Sequence, residues 1–165
     1  MDRIVIFIDN SNIFKGFQKY GIQADYEKLK NLITQGRRLE KILLYEGVVY
    51  PISQAKTNWY KELSDRSGYT IKATFDKIIS KRAIEKKVDI NIAIDMISLG
   101  YENGYDTAVL VSGDGDFVPV VQKLLNMDKK VEIWAFKYSL ANALKEKIGS
   151  ENINYIDDIL SEINL

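Results

Sequence analysis

The stretch Arg3-Ile-Val-Ile-Phe-Ile8, followed at once by Asp9-Asn-Ser-Asn12, decides the fold that this sequence predicts. A second apolar run, Ala108-Val-Leu-Val111, ends in the same way in Ser112-Gly-Asp-Gly-Asp116. Short runs of branched apolar residues bounded by polar turns are typical of buried strands. Ligands of an open parallel sheet bind outside the carboxyl ends of its strands. Both acidic clusters are therefore expected at one functional edge of one sheet.

The rest of the chain alternates between strand-like and helix-like segments. Strands are predicted at residues 3–8, 41–49, 70–75, 107–111, 131–136 and, from a weaker pattern, 154–156. Helices are predicted at residues 12–20, 26–34, 53–67, 89–102, 116–126, 140–147 and 157–163. Such alternation predicts a mostly parallel sheet covered by helices on both faces. The predicted class is therefore a three-layer α/β/α domain.

Composition excludes several kinds of catalytic site. The 165 residues include no histidine and no cysteine. One chain therefore cannot supply a Ser-His-Asp triad, a Cys-His dyad, a thiolate zinc site or a disulfide. Catalysis would have to use carboxylates, lysines, hydroxyls or a metal held by oxygen. Basic and acidic residues each number 23, so the net charge is zero and binding of a polyanion requires local clustering of basic residues.

The organisation of the chain points to a single unit. Only two prolines occur and no segment is of low complexity, so one domain over residues 1–165 with a substantial core is expected. No apolar run approaches the roughly 20 residues that a bilayer requires, and the start lacks a signal-peptide pattern. We therefore expect a cytoplasmic protein without membrane contact.

Carboxylates at the strand ends form a candidate metal site. Mg²⁺ and Mn²⁺ prefer oxygen ligands, and they take one or two carboxylates while substrate and water complete an octahedron. Asp9, Asp114 and Asp116 would supply ligands from two strand ends, and Asp89 is expected to add a fourth from the start of its helix. Acids massed together repel one another unless a cation or protons intervene. The sequence therefore predicts a Mg²⁺ or Mn²⁺ site.

Neighbouring polar residues fit this site. Asn12 and Ser112 carry short oxygen-bearing side chains that can orient a carboxylate, a metal-bound water or a phosphate oxygen. Asp95 lies six positions after Asp89, about 120° around an ideal helix, so the two cannot share one face. Its apolar neighbours predict partial burial, and a buried carboxylate needs a partner. We therefore place Asp95 at the rim of the site or behind it.

Each acid also has an ordinary explanation. Asp89 and Asp116 are good helix N-caps, and Asp9-Asn10 at a strand end is common turn chemistry. Their coincidence at two strand ends, in a chain without histidine, favours a site for the set. The glycines of Gly113-Asp-Gly115 would allow the tight turn that brings the last two acids together.

The segment at residues 76–87 fits neither the helix nor the strand period, and we expect it to span a strand end and a loop. Its basic residues are Lys77, Lys81, Arg82, Lys86 and Lys87. Cationic side chains supply most of the sequence-independent affinity for a phosphate backbone. The alternative is a solvated charged face. Further basic or aromatic residues that would widen the patch are Lys15, Lys19, Tyr20 and Lys56.

Three motifs, taken in chain order, carry a family resemblance. They are Asp9-Asn-Ser-Asn12, Lys87-Val-Asp89 with Asp95 in the same helix, and Ser112-Gly-Asp-Gly-Asp-Phe-Val-Pro119. Together they resemble the NYN domain family, in its LabA-like branch, over nearly the whole chain. This resemblance implies the Rossmann-like fold of the PIN-like nucleases, with an acidic pocket that binds Mg²⁺ or Mn²⁺.

The resemblance also implies roles for individual residues. It assigns Asp9, Asp89, Asp114 and Asp116 to the acidic pocket, and Asn12, Asp95 and Ser112 to supporting positions. It further implies RNA as the substrate class. PIN-like domains often self-associate, so a homodimer is one option, although the sequence has no clear interface stripe.

Three functions remain open at this point. The leading hypothesis is metal-dependent hydrolysis of a phosphodiester in single-stranded RNA. The second is an RNA-binding or regulatory module that keeps the pocket without cleaving, which the zero net charge favours. The third is a phosphatase or phosphotransferase. It is disfavoured because its carboxylate nucleophile would need a second acid two residues after Asp9, where Ser11 stands.

Overall fold

The computed structural model describes residues 1–76 and 81–165. Its strands are β1 (Arg3–Asp9), β2 (Arg38–Val49), β3 (Tyr69–Asp76), β4 (Thr107–Val111), β5 (Lys130–Ala135) and β6 (Ile153–Tyr155). Within the described ranges they form one six-stranded sheet in the order β3-β2-β1-β4-β5-β6, and every neighbouring pair is parallel. The predicted mostly parallel sheet is confirmed.

Helices cover both faces of this sheet. They are α1 (Asn10–Lys19), α2 (Tyr26–Thr34), α3 (Gln54–Ser67), α4 (Lys81–Tyr101), α5 (Val118–Asn126), α6 (Asn142–Ile148) and α7 (Leu160–Ile163). Short 3₁₀ helices occupy Gly115–Phe117, Ser150–Asn152 and Ile156–Ile159. In the part of the chain that the structure describes, no helix combines the length and the apolar character that crossing a bilayer requires.

Alternation along the central strands produces two cores. Ile4, Ile6 and Ile8 of β1 pack in the core that α1, α2, α3 and α7 cover. Val5 and Phe7 of the same strand pack in the core under α4, α5 and α6. Side chains of successive strand residues point to opposite faces, so a continuous apolar run buries both faces of the sheet. This arrangement is the three-layer α/β/α architecture that the sequence predicts.

Helix α4 begins earlier than predicted. It starts at Lys81 rather than at residue 89, so the expectation of a loop through residue 87 was wrong from residue 81 onward. Ile84, Val88, Ile92 and Met96 recur every four residues and are all buried, which gives this segment an apolar face from its first turn. Asp89 therefore lies in the third turn of a helix, and the prediction that it caps the helix was wrong.

A glycine in β2 lets this first turn approach the sheet. A Cβ atom on Gly47 would lie 2.0 Å from a methyl carbon of Ile84, a distance that no side chain permits. Because the Ile84 side chain fills the space that a side chain at residue 47 would need, α4 packs closely on β2 in the turn that precedes Asp89. The close contact therefore helps to position Asp89.

Short polar side chains cap several helices. The Asp25 carboxylate accepts hydrogen bonds from the backbone N–H groups of Glu27 and Lys28, and the Ser53 hydroxyl accepts one from the Lys56 N–H at the start of α3. Asp116 is not a cap, because the Asp114 carboxylate accepts the Asp116 N–H and starts a 3₁₀ turn before α5. Asp114, which lies closer to the end of β4 than Asp116 does, is therefore the residue that caps this turn.

Candidate metal centre

The acidic pocket lies at the carboxyl ends of β1 and β4, between the starts of α1 and α4. It has a volume of about 70 Å³. Its lining residues are Asp9, Ser11, Asn12, Lys15, Glu85, Val88, Asp89 and Asp114. Four of these side chains are carboxylates, and among the described lining residues Lys15 is the single cation. The pocket is therefore strongly biased towards binding positive charge.

Asp9 is the buried carboxylate of the pocket, and only 4% of the residue is exposed. Its Oδ2 accepts a hydrogen bond of 3.0 Å from the Ser112 hydroxyl, and its Oδ1 accepts one of 3.4 Å from the Asn12 N–H. Burial raises the Asp9 pKa to about 6, and the charges of Asp114 and Glu85 act in the same direction. The two hydrogen bonds oppose that rise without cancelling it.

Asp89, Asp114 and Asp116 bring their carboxylates together beside Asp9. One oxygen from each of the three lies within 4.8 Å of the others. Burial raises the Asp89 pKa to about 7, and the negative charges of Asp9 and Asp114 add to that rise. A cation in the cluster would relieve this repulsion, whereas without one a proton is retained near neutral pH.

The loop after β4 is joined to the start of α1 by polar contacts. The Asp114 N–H donates to the Ser112 hydroxyl over 3.2 Å, and the Gly113 N–H donates to Asn12 Oδ1 over 3.3 Å. The Asp116 N–H donates to Asp114 Oδ1 over 2.9 Å. Asn12 and Ser112 therefore connect strand ends that lie about a hundred residues apart in the chain.

Gly113 is required here by a close approach of a second loop. A Cβ atom at this position would lie 2.7 Å from the backbone oxygen of Ser139. The Gly113 carbonyl accepts a hydrogen bond of 2.9 Å from the Ala141 N–H, which fixes the two loops together. A larger residue would have to displace backbone, and the acids that follow Gly113 would move with it.

Asp95 lies outside the lining of the pocket. The Tyr45 hydroxyl donates to its carboxylate over 2.7 Å, and Lys72 approaches it at 3.9 Å. Burial, followed by this contact with Asp95, raises the Tyr45 pKa far above its usual value. Tyr45 is the register partner of Asp9 in the sheet. Asp95 therefore holds the residue next to the pocket and does not face the other acids.

The predicted basic patch divides into several groups. Arg82, Lys86 and Lys87 are exposed on the first turns of α4, and Lys81 begins that helix. Lys77 lies outside the described residues. Lys19 lies over the ring of Tyr138 at 5.1 Å from its centroid, on the far end of α1. The expected continuous patch is thus reduced, among described residues, to one exposed face of α4.

Glu85 and its ion pair with Lys15 are the functional candidates that the sequence reasoning missed. Glu85 Oε1 lies 3.2 Å from Lys15 Nζ, so the pair joins α4 to α1 at the pocket. Glu85 precedes Asp89 by four residues, a spacing that places both on one helix face. That spacing was visible in the sequence, but it carries meaning only once the segment is known to be helical.

A second buried carboxylate lies behind α1, near the carboxyl end of β2. Glu46 is 8% exposed and accepts hydrogen bonds from Asn10 Nδ2 at 3.0 Å, Lys56 Nζ at 2.7 Å and the Tyr60 hydroxyl. The Tyr26 hydroxyl in turn donates to Asn10 Oδ1 over 2.5 Å. Lys56 is therefore committed to this network and is not part of the expected phosphate-binding patch.

Comparisons with known proteins agree with this architecture. The family model described as NYN domain matches residues 3–156. The protein is similar to the Low amplitude and bright protein LabA of Synechococcus elongatus, with 30% identity over 130 residues, covering 74% of this chain and 67% of LabA. It is also similar to a crystal structure of a protein of unknown function from Vibrio parahaemolyticus, with a TM-score of 0.77 at 22% identity, covering 99% and 96% of the two chains.

The crystal structure supports the fold alone, since its sequence identity is low. The family match extends over the sheet and both strand ends that carry the acids, and the LabA relative adds a sequence match over most of the chain. The chain therefore belongs to the NYN domain family, in its LabA-like branch.

Proposed function

We propose that the protein is a Mg²⁺- or Mn²⁺-dependent ribonuclease that hydrolyses phosphodiester bonds in single-stranded RNA. The observation that carries this proposal is the convergence of Asp89, Asp114 and Asp116, whose carboxylate oxygens lie within 4.8 Å of one another beside the buried Asp9. NYN domains belong to a nuclease-type superfamily, which makes a phosphodiester the natural substrate class.

The donor set fits a hard divalent cation. Every candidate ligand is a carboxylate oxygen, the type that Mg²⁺ and Mn²⁺ prefer. Asp89, Asp114 and Asp116 would hold the cation. Asp9, fixed by Ser112 and the Asn12 N–H, is proposed as a further ligand, and its fixed position would orient the groups around the cation. A bound cation would lower the pKa of a water molecule and neutralise charge on the phosphate, so histidine is dispensable.

Basic side chains would hold the RNA backbone. Lys15 lies in the pocket, where its ammonium group would contact an oxygen of the scissile phosphate after leaving Glu85. Arg82, Lys86 and Lys87 on the exposed face of α4 would contact flanking phosphates. Lys77 and Lys81 precede them in the sequence and are predicted to extend this contact. Such contacts give affinity without sequence preference.

Cleavage of a single-stranded RNA in Mn²⁺ tests the proposal, with Asp114→Asn as the variant. We expect at least a hundredfold loss of rate, because one ligand is lost while shape and fold are retained. Asp65→Asn, which changes an exposed aspartate of α3, is the matched control and should cleave like the wild type. Thermal unfolding of all three proteins checks folding. Full activity of Asp114→Asn, or of the wild type in EDTA, would overturn the mechanism.

A non-catalytic RNA-binding module is the second candidate. It is favoured by the zero net charge and by the pairing of Lys15 and Lys56 with glutamates, which weakens the hold on a polyanion. Under this alternative, RNA would bind and no product would form after long incubation with Mn²⁺. The same gel that measures cleavage, run beside a binding assay, separates the two functions.

A further inference from the structure

A large groove lies on the other side of α1 from the acidic pocket. It is bordered by α1, α2 and α3 and has a volume of about 930 Å³. Pockets for small ligands range over roughly 300 to 1,000 Å³, so the groove can accept a ring with an attached sugar. Four aromatic residues line it, namely Phe17, Tyr26, Trp59 and Phe14, and the last of these is 48% exposed. Such an exposed ring in a concave surface is suited to stacking.

The charges of the groove select against phosphate. Two cations, Lys56 and Arg66, are among its described lining residues. Lys56 lies 2.7 Å from the Glu46 carboxylate and Arg66 lies 3.4 Å from that of Glu62, so each is already neutralised. Two further carboxylates line the groove: Glu27 lies 3.1 Å from Lys30, and Asp25 accepts the N–H groups at the start of α2. Because each charged group of this lining has a partner, the groove is complementary to an uncharged ligand. An uncharged ring could stack on the aromatic side chains without placing a negative charge near Glu46 and Glu62.

Polar groups at the base of the groove can bind the edge of a ring. Glu46 and Asn10 are buried there and are held by Lys56, Tyr60 and Tyr26. A carboxylate has more acceptor positions than these donors use, and the Lys56 ammonium has three donors. The base thus offers both acceptors and donors at fixed positions, beside apolar walls.

Helix α1 is the wall that the groove and the acidic pocket share. Ser11, Asn12 and Lys15 line the acidic pocket, while Asn10 and Phe14 line the groove. Asp9 of the pocket and Asn10 of the groove are consecutive residues. A ligand that places a phosphate on one side of this helix can therefore place an adjoining group on the other side.

We propose that the groove binds an unpaired base of the same RNA strand whose phosphate enters the acidic pocket. This inference rests on the proposed function for the position of the phosphate. Bases of single-stranded RNA splay out and stack on aromatic side chains, and their edges accept and donate hydrogen bonds. The Phe14 and Trp59 rings provide the faces, and Glu46 and Lys56 provide the polar contacts.

Binding of a short single-stranded RNA in Ca²⁺, an oxygen-bound cation that can occupy the acidic pocket, tests the base contact, and a gel of the same samples checks that the RNA stays intact. We expect Phe14→Ala to weaken binding about tenfold, because stacking on one aromatic ring is lost. Tyr101→Ala is the matched control, since this residue of α4 is 85% exposed on the opposite face of the sheet, and it should bind like the wild type. Equal affinity of Phe14→Ala and the wild type would overturn the inference.

A scan of single abasic positions along the RNA sharpens the test. At one position the missing base should weaken wild-type binding about tenfold and leave the binding of Phe14→Ala unchanged, because the ring and the base form one contact. Independent losses at every position would overturn the inference. A change of oligomeric state in Phe14→Ala with unaltered RNA binding would also overturn it, and would assign the groove to a second copy of the chain.

Failure of the inference is distinguishable from failure of the proposed function. If Mn²⁺-dependent cleavage occurs and no abasic position selectively weakens wild-type binding, the ribonuclease proposal is supported and the base contact in the groove is refuted. If one abasic position weakens wild-type binding and not that of Phe14→Ala, but no cleavage is seen, the base contact is supported and the protein is a binding module.

Discussion

Asp9 and Glu46 are buried carboxylates near the carboxyl ends of neighbouring strands, yet their surroundings are opposite. Glu46 accepts hydrogen bonds from an amide, an ammonium group and a phenol, so its charge is compensated within the protein. Asp9 accepts from one hydroxyl and one N–H group and faces three further acids across the pocket. Burial and acidity are common to both. Uncompensated negative charge distinguishes the candidate metal centre from the structural network.

The difference has a general physical meaning. A buried carboxylate that accepts several hydrogen bonds, one of them from a cation, has its charge compensated, whereas a carboxylate with few donors has a raised pKa and favours binding of a cation or a proton. The two carboxylates should therefore respond differently to substitution and to metal. The predictions below use those responses to sharpen the comparison or to break it.

The largest effect is expected from Glu46→Gln. We expect it to lower the free energy of unfolding by about 2 to 3 kcal/mol, because hydrogen bonds to a charged group are weakened and Lys56 loses its partner. Urea unfolding at pH 7 measures the change. Glu62→Gln, which breaks the exposed pair with Arg66, is the control and should cost less than about 0.5 kcal/mol. Equal losses in both variants would remove the structural role assigned to Glu46.

Binding of Mn²⁺ at the acidic pocket should raise the free energy of unfolding by about as much as Glu46→Gln lowers it. At a concentration of one hundred times Kd, a ligand of the folded state adds about 2.7 kcal/mol, which for a chain of this size raises Tm by roughly 5 to 10 °C. Glu46→Gln should keep this shift, and Asp89→Asn should lose most of it. Differential scanning fluorimetry provides the measurement. A shift that persists in Asp89→Asn would place the ion elsewhere.

The pH dependence of stability should reveal Asp9. Its folded pKa of about 6 lies above the ordinary value of 3.8, so the folded protein retains a proton that the unfolded chain releases. Stability from this group is therefore highest below about pH 4, falls as the pH rises and reaches its minimum above about pH 6. Asp9→Asn removes this loss, so the free energy of unfolding of the variant relative to the wild type should rise by about 2 to 3 kcal/mol across that window.

Urea unfolding in EDTA at several pH values measures this difference between the two proteins. Groups whose pKa is lowered, such as Asp106, cancel because both proteins contain them. Asp89, whose pKa is raised to about 7, should lower stability with rising pH as Asp9 does, and its contribution should reach its minimum above about pH 7. A difference between Asp9→Asn and the wild type that stays constant from pH 4 to pH 8 would contradict the assignment of Asp9 as undersupplied.

The smallest effect is expected from Glu85→Gln. Removing one charge from the lining of the pocket should weaken Mn²⁺ binding about threefold, which is the size expected for a partly exposed charge. Calorimetric titration measures the affinity. Glu146→Gln, on the exposed side of α6, is the control and should leave the affinity unchanged. A hundredfold loss in Glu85→Gln would instead make Glu85 a direct ligand.

Much of the fold could be predicted because buried parallel strands appear in the sequence as continuous apolar runs. All six described strands lie within a few residues of their predicted positions. The start of α4 could not be found in the same way. Ile84 and Val88 have the four-residue spacing of a helix face. The basic residues around them made the segment resemble a loop, and Asp89 is a residue type that is common at helix N-caps. Tertiary contact with Gly47, rather than a local signal, sets where this helix lies.

The site was predictable only in part. Asp9 and Asp114 follow directly from strand ends, since the topology of a parallel sheet brings such ends together. The hydrogen bonds of Asp95 and Glu46 depend on which strand neighbours which and on where α3 crosses, and no periodicity encodes that. The partner of Glu46 is ten residues away in sequence and that of Asp95 is fifty. Spatial order, not composition, decides which acids are compensated.

The hydrogen bond between Asp9 and Ser112 spans 103 positions of the chain. A break in the connection between α4 and β4 would leave Asp9 and Asp89 on one fragment and Asp114 and Asp116 on the other. Neither piece alone would hold a complete set of oxygens, and each would keep part of the central sheet. If the proposed ion site is correct, recovery of ion uptake would report that the two fragments have reassembled.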